Sequence, residues 1–208
     1  MKFSLWWVSM IKIVSFDLQG TITNASYSDE FWLELLPKQY SIKNNISLIE
    51  SKKMLKDLFG SYGKYDSRYY SVKYWEKELN FNFSDIMKEK EVPLVIENEL
   101  LNLASKYPSI IVTTTTSEFI DLELGQNKNI FKKLYSSLDT FNIAGKTKEV
   151  YELVLKDLNI TSFEILHIGD NLEMDCENAL SAGIKCYHFD PDKDIKLVIK
   201  EIEKIIEE

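Results

Sequence analysis

The feature that most constrains this chain is a pair of apolar runs that each end in a carboxylate. Ile165-Leu166-His167-Ile168 leads into Gly169-Asp170, and a further aspartate, Asp175, follows five residues on, where a helix is expected to begin. Far upstream, Ile13-Val14-Ser15-Phe16 ends in Asp17, followed by Leu18-Gln19-Gly20-Thr21. Short continuous apolar runs are the pattern of strands covered on both faces, the usual state of parallel sheets. Open parallel sheets bind ligands in the crevice outside the carboxyl ends of their strands. Carboxylates converging there repel one another unless a cation lies between them, and a site of oxygen ligands alone suits Mg²⁺. The two runs therefore imply a magnesium site built around a nucleophilic aspartate.

Five runs read as strands: Ile11 to Phe16, Ser109 to Thr113, Leu134 to Ser137, Phe163 to Ile168 and Ile184 to Phe189. Helical spacing separates them. Tyr151, Val154, Leu155 and Leu158 precede the fourth strand, Gly183 stops a helix through Ala179 and Leu180, and Ile195, Val198, Ile199, Ile202 and Ile206 line a C-terminal helix. This alternation predicts a doubly wound α/β core with a parallel sheet. Roughly ninety residues separate the first two strands, far more than a crossover requires. Apolar residues within that interval, such as Phe31, Trp32, Leu35 and Leu36, keep helical spacing. The expected organisation is a core over residues 11–24 and 96–208, an inserted helical cap over 25–95 and an N-terminal extension over 1–10. The insertion starts just after the first carboxylate loop, where it can act as a lid.

A formal net charge of −8 argues against a nucleic-acid-binding surface, which needs a basic stripe, and against a membrane surface. No apolar run reaches the ~18–20 residues of a membrane-spanning helix. The first residues resemble the front of a signal peptide but lack a small-residue cleavage site. Met10 stands directly before the first strand, so residues 1–9 are expected to be dispensable. Cys176 and Cys186 show no metal-ligand spacing and are expected to be reduced core thiols, in keeping with a cytoplasmic protein.

Other residue types at the strand ends suit phosphate chemistry. A carboxylate such as Asp17 can attack phosphorus. Gly20 allows a sharp departure from the strand, and exposed amides through Thr21 can hold phosphate oxygens. Thr113 offers a hydroxyl at the end of the second strand, and Thr114 a backbone amide. Lys146 can offset the clustered negative charge, with Lys148 competing for that role. Asp170 is the direct metal ligand, and Asp175 is expected to hold either a metal-bound water or Lys146. Asn171 can assist through a water. His167 reads as a packed core residue.

Taken in order, Asp17-Leu18-Gln19-Gly20-Thr21, Thr113, Lys146 and Gly169-Asp170 through Asp175 resemble the four motifs of the haloacid dehalogenase superfamily. The likeness covers residues 11–24 and about 96–208, and the insertion resembles that family's helical C1-type cap. It implies a Rossmann-like core and a Mg²⁺-dependent hydrolase, a phosphatase acting on a small phosphorylated metabolite through an aspartyl-phosphate. Mg²⁺ would bridge Asp17, the Gln19 main-chain carbonyl and Asp170. The cap would set specificity, with Arg68, the chain's single arginine, able to clamp a substrate carboxylate or second phosphate.

One departure matters. The phosphatase branch usually carries an acid–base aspartate two residues after the nucleophile, where this chain has Gln19. An amide cannot shuttle a proton at neutral pH, and losing a general acid–base typically costs ~10²–10⁴ in rate. Slow or unusual turnover is therefore expected, with aryl phosphates favoured over alkyl ones and Gln19→Asp raising the rate. The alternatives are a phosphonate hydrolase using a cap lysine (Lys52, Lys53 or Lys56), a haloacid hydrolase with the same nucleophile, a non-catalytic phosphometabolite binder, and a structural partner protein.

Overall fold

The computed structural model describes residues 11–24, 26–87 and 95–208; the extension over residues 1–10 and its expected dispensability lie outside them. Five strands form one parallel sheet: β1 (Ile13–Phe16), β2 (Ser109–Thr113), β3 (Lys133–Ser136), β4 (Ile165–Gly169) and β5 (Lys185–His188), in the order β3-β2-β1-β4-β5. Each expected strand is present, with its ends moved by no more than two residues. The chain runs outward from β1 through β2 to β3, then returns to place β4 on the other flank of β1. The strand order thus reverses at β1, and the crevice of such a sheet opens at the carboxyl ends of β1 and its neighbours.

Successive residues of each strand point to opposite faces, and both faces are covered. Val14, Phe16, Ile111, Leu166 and Ile168 pack with Leu100 and Leu103 of the helix Asn98–Lys106 and with Val198, Ile202 and Ile206 of the helix Ile195–Glu207. Ile110, Val112 and Ile165 pack with Val150, Tyr151 and Val154 of the helix Lys148–Leu158. Burial on two sides is why these strands read as continuous apolar runs.

Between β1 and β2 the described residues form short helices, including Leu36–Asn44, Leu48–Gly60, Val72–Leu79 and Phe83–Met87. Their boundaries are local: Ser47 caps Leu48–Gly60 by accepting from the Glu50 amide, and Asn45 and Asn80 close helices in the left-handed conformation. Phe31, Leu36, Leu55, Trp75 and Phe83 give this insertion a core of its own. Phe119, on the core helix Ser117–Leu124, enters that cluster edge-on to Phe31 and Tyr27, with ring centroids 5.5 and 6.2 Å away. Among the described residues no helix is long and apolar enough to cross a membrane.

The cysteines correct an expectation. Cys176 and Cys186 are joined in a disulfide rather than standing as separate thiols. Cys176 lies in the turn Leu172–Glu177 after β4, and Cys186 lies on β5, the neighbouring strand. Their Cα atoms are 5.2 Å apart, within the usual range for a bridge. The adjacency comes from the parallel crossover, which a ten-residue separation in sequence does not reveal.

Candidate active site

Asp17 follows β1, and its amide donates to the Ile168 carbonyl at 2.8 Å, so the ladder to β4 continues one residue past the strand. This sets the carboxylate at the mouth of the crevice. The chain then turns at Gly20, whose φ is +83°, and is closed by bonds from the Gly20 amide to the Thr23 carbonyl and from the Thr23 amide to the Leu18 carbonyl. A Cβ at Gly20 would lie 2.5 Å from the Asp170 carboxylate, and one at Gly169 would lie 2.2 Å from Cγ of Asp175. The two motif glycines therefore make the space that the acidic side chains occupy.

Lys146 is buried, with Nζ 2.8 Å from Asp17 Oδ2 and paired also with Asp175 Oδ1. Asp175 is fully buried as well: Oδ1 also accepts from His167 Nε2 at 3.0 Å, and Oδ2 accepts from the Asn171 amide at 2.9 Å. Of the two partners open to Asp175 in the sequence, this is the lysine. Burial lowers the His167 pKa and favours the neutral ring, and in the tautomer that places Nε2–H on Asp175, Nδ1 accepts from Ser15 Oγ at 2.8 Å. Burial pushes the Asp175 carboxyl up, but Lys146 and His167 outweigh it and hold it well below the usual carboxylate range. Burial likewise works against the charge on Lys146, and Asp17 and Asp175 overcome it.

Asp17 goes the other way. Burial lifts its carboxyl to about 7, with Asp175 and Asp170 adding to the rise and Lys146 opposing it. Burial followed by the Asp175 charge also raises Asp170, whose Oδ1 accepts from Thr21 Oγ1 at 3.3 Å. Oxygens of Asp17, Asp170 and Asp175 lie within 4.8 Å of one another, and among the described groups only Lys146 brings a positive charge between them. Asp17 Oδ1 is buried and makes no hydrogen bond among the described residues. Hard oxygen donors, excess negative charge and an orphaned carboxylate oxygen fit a divalent cation such as Mg²⁺.

Thr113 ends β2, is buried, and accepts from the Thr115 amide through Oγ1 at 3.2 Å. A cavity of about 660 Å³ begins at Gln19 and Thr114 and runs under the insertion, between aromatic walls that include Trp32, Phe59, Tyr70 and Trp75. Lys148 is exposed and pairs with Glu152 at 3.1 Å, away from the carboxylates. Arg68 is not brought to this cavity. It pairs with Asp66 at 2.6 Å, lies over the Tyr62 ring, and borders a separate shallow pocket with Asp139 and Asn142.

Four residues join the site without having been singled out for it. His167 and its strand partner Ser15 brace Asp175; a hydrogen-bonding pair in two otherwise apolar strands was the available signal. His188 donates to the main-chain carbonyl of Asp170 at 2.8 Å. Glu123, buried, receives the Gln19 side chain.

A profile of haloacid dehalogenase-like hydrolases matches residues 14–189, and the chain belongs to that family. No curated protein matches it significantly. Among solved structures, it is similar to a haloacid dehalogenase phosphatase from Thermococcus onnurineus, at 19% identity over 88% of both chains with a TM-score of 0.71. It is also similar to a hydrolase of this family from Bacillus subtilis bound to magnesium, at 21% identity over 89% of this chain and 91% of that one, TM-score 0.59. A family enzyme from Bacteroides thetaiotaomicron, in complex with magnesium and inorganic phosphate, matches at 20% identity over 90% of this chain and 98% of that one, TM-score 0.53. At these identities the likeness establishes a shared fold.

Proposed function

We propose that this hydrolase is a Mg²⁺-dependent phosphatase that acts on a small phosphorylated metabolite through an aspartyl-phosphate on Asp17. The observation that carries this reading is the buried Lys146 held between Asp17 and Asp175, beside Asp170, with Asp17 Oδ1 making no hydrogen bond among the described residues. Asp17, Asp170 and the Gln19 main-chain carbonyl would hold Mg²⁺, which when bound neutralises charge on the phosphoryl group. An Asp17 oxygen attacks phosphorus and the bond to the leaving oxygen breaks. Lys146 opposes the rise in the Asp17 pKa and so favours the ionised nucleophile, and Asp175 with His167 keeps Lys146 in place. Thr113 Oγ1 and the Thr114 amide hold phosphoryl oxygens, whereas the Gly20 and Thr21 amides expected to share that role are already bonded to the Thr23 and Leu18 carbonyls. Gln19 supplies no proton, so esters with good leaving groups turn over faster and phospho-Asp17 accumulates.

The insertion, taken as a cap over residues 25–95, selects the substrate, and its aromatic walls favour an apolar or flat organic body. The cytoplasmic placement drawn from the sequence has lost its support from free thiols, because disulfides are rare in reducing compartments. Thiol alkylation of protein taken directly from cells tests that placement.

Phosphate release from a panel of phosphorylated metabolites with Mg²⁺ tests the activity. Asp17→Asn is expected to lower turnover by at least ~10³ with an unchanged melting curve. Full activity in that variant, or in protein stripped with EDTA, would falsify the reading.

Cleavage of a carbon–phosphorus bond is the second reading. Lys52 and Lys56 both line the cavity, Lys52 paired with Glu34, and a lysine amine can form a Schiff base with a carbonyl-bearing phosphonate. Covalent trapping of such a substrate by borohydride would favour it.

A further inference from the structure

Glu123 is a buried carboxylate outside the Asp17, Asp170 and Asp175 cluster. It lies on the helix Ser117–Leu124, four residues beyond Phe119, and is 1% exposed. Residues four apart share a helix face, so the helix that seats the insertion also carries Glu123 to the loop after β1. Its two oxygens take separate partners: Gln19 Nε2 donates to Oε1 at 2.5 Å, and Thr23 Oγ1 donates to Oε2 at 2.7 Å. Gln19 and Thr23 face each other across the Gly20 turn, so Glu123 braces both sides of the turn that follows Asp17. A buried carboxylate needs donors. Burial raises the Glu123 carboxyl, while Thr23 and Gln19 oppose that rise. An aspartate at position 19 would set a second acid against it, whereas an amide supplies a donor. The residue at 19 is thus matched to Glu123.

We propose that Glu123 is a positioning residue: by holding Gln19 through its amide nitrogen, it turns the Gln19 carbonyl oxygen to the cavity, where it accepts a hydrogen bond from the water that hydrolyses phospho-Asp17. This rests on the phosphatase reading. The water oxygen bonds to phosphorus, and the bond from phosphorus to the Asp17 oxygen breaks, its electron pair returning to the carboxylate. Both water protons leave on the product as dihydrogen phosphate, one after transfer to a phosphoryl oxygen. No base is consumed, so an amide that only orients the water suffices, the part a glutamine plays in some nucleotide hydrolases.

Wild type, Gln19→Ala, Glu123→Ala, Glu123→Gln and the double alanine variant are mixed rapidly with para-nitrophenyl phosphate and Mg²⁺, timing formation and decay of the phosphoenzyme separately. The Gln19 side-chain amide resonances are followed by NMR without substrate. Glu123→Ala is expected to slow decay by ~10–10², the size of loss that misplacement causes, while formation is unchanged. Glu123→Gln should retain most of the decay rate, because its carbonyl can still accept from Gln19. The double variant should decay no more slowly than Gln19→Ala, since the two act as one unit. The Gln19 amide resonances should move in Glu123→Ala. Unchanged decay in Glu123→Ala, equal slowing of formation and decay, multiplied losses in the double variant, or unmoved resonances would each overturn the proposal. A wild type that forms no phosphoenzyme with any substrate of the panel sinks the phosphatase reading and the hydrolytic role with it; the resonances, read without substrate, still decide whether Glu123 holds Gln19.

Discussion

At the scale of single residues, the site is a set of buried charges that tolerate burial only through one another. Lys146 keeps its charge because Asp17 and Asp175 flank it, and Asp175 keeps its own because Lys146 and His167 outweigh its desolvation. Gln19 belongs to a second such set, with Glu123 and Thr23. This revises what the sequence led us to expect of Gln19→Asp. Alone, that change sets an acid against Glu123, and we expect no gain in turnover. Paired with Glu123→Gln, it keeps one acid and one amide in contact while placing a titratable group beside the nucleophile. The double exchange is expected to speed alkyl phosphate hydrolysis by up to ~10², the contribution general acid–base catalysis can make. Steady-state rates for alkyl and aryl phosphates on both variants check this; equal alkyl rates would show that position 19 does not handle the proton.

At the scale of elements, two contacts tie neighbouring parts of the sheet together. Glu164 closes the turn Ser162–Glu164 ahead of β4, accepting from the Thr161 amide at 2.7 Å and from Thr161 Oγ1 at 2.9 Å, and it pairs with Lys12 beside β1. Lys12 and these Thr161 bonds hold its carboxyl down at about 2. A depressed acid stabilises the fold above its unfolded pKa, near 4.5, and that support fades as pH falls towards 2. Glu164→Gln should therefore melt lower than wild type at neutral pH, with the gap closing in acid; a gap that persists at the lowest pH would assign the loss to packing. The Cys176–Cys186 bridge joins the turn after β4 to β5. For so short a loop, chain-entropy arguments give roughly 2.5–3 kcal/mol. Reduction should lower the melting temperature and release two titratable thiols. An identical melt with and without reductant, despite thiol release, would remove the bridge from the stability of the fold.

At the scale of the whole molecule, two contacts between the insertion and the core stand out among the described residues. One is the Phe119 contact within its aromatic core. The other is polar: Lys64 pairs with Glu173, Tyr65 donates to Glu173 at 2.7 Å, and the Tyr65 ring lies against Gly145, next to Lys146. Glu173 sits in the turn between Asp170 and Asp175, so this contact joins the insertion to the acidic loop itself. Exposed ion pairs contribute at most about 1 kcal/mol, so this contact holds the insertion to the acidic loop only weakly. Glu173→Ala is expected to raise KM and the rate of tryptic cleavage at Lys64 by no more than ~5-fold, leaving the melting temperature unchanged. An unaltered cleavage rate would mean that the Glu173 contact does not hold the insertion.

What could be read from the sequence was what depends on near neighbours. Apolar runs such as Ile165-Leu166-His167-Ile168 mark strands because burial on two faces leaves no room for alternation. Phe31, Trp32, Leu35 and Leu36 mark helix because 3.6-residue spacing is local. Asp17, Gly20 and Asp170 were visible because a strand end, a turn and a carboxylate occur together within a few residues. Tertiary structure alone decided matters that rest on distance in the chain. Lys146 and Lys148 are chemically the same and two residues apart; only burial beside Asp17 and Asp175 separates them. Arg68 reads as a substrate clamp in the sequence, whereas in the fold it pairs with Asp66 and borders a different pocket. Cys176 meets Cys186 because a crossover returns the chain to the neighbouring strand. Glu123 reaches Gln19 across 104 residues of sequence, and no local pattern encodes a contact that exists only once the sheet and its helices have packed.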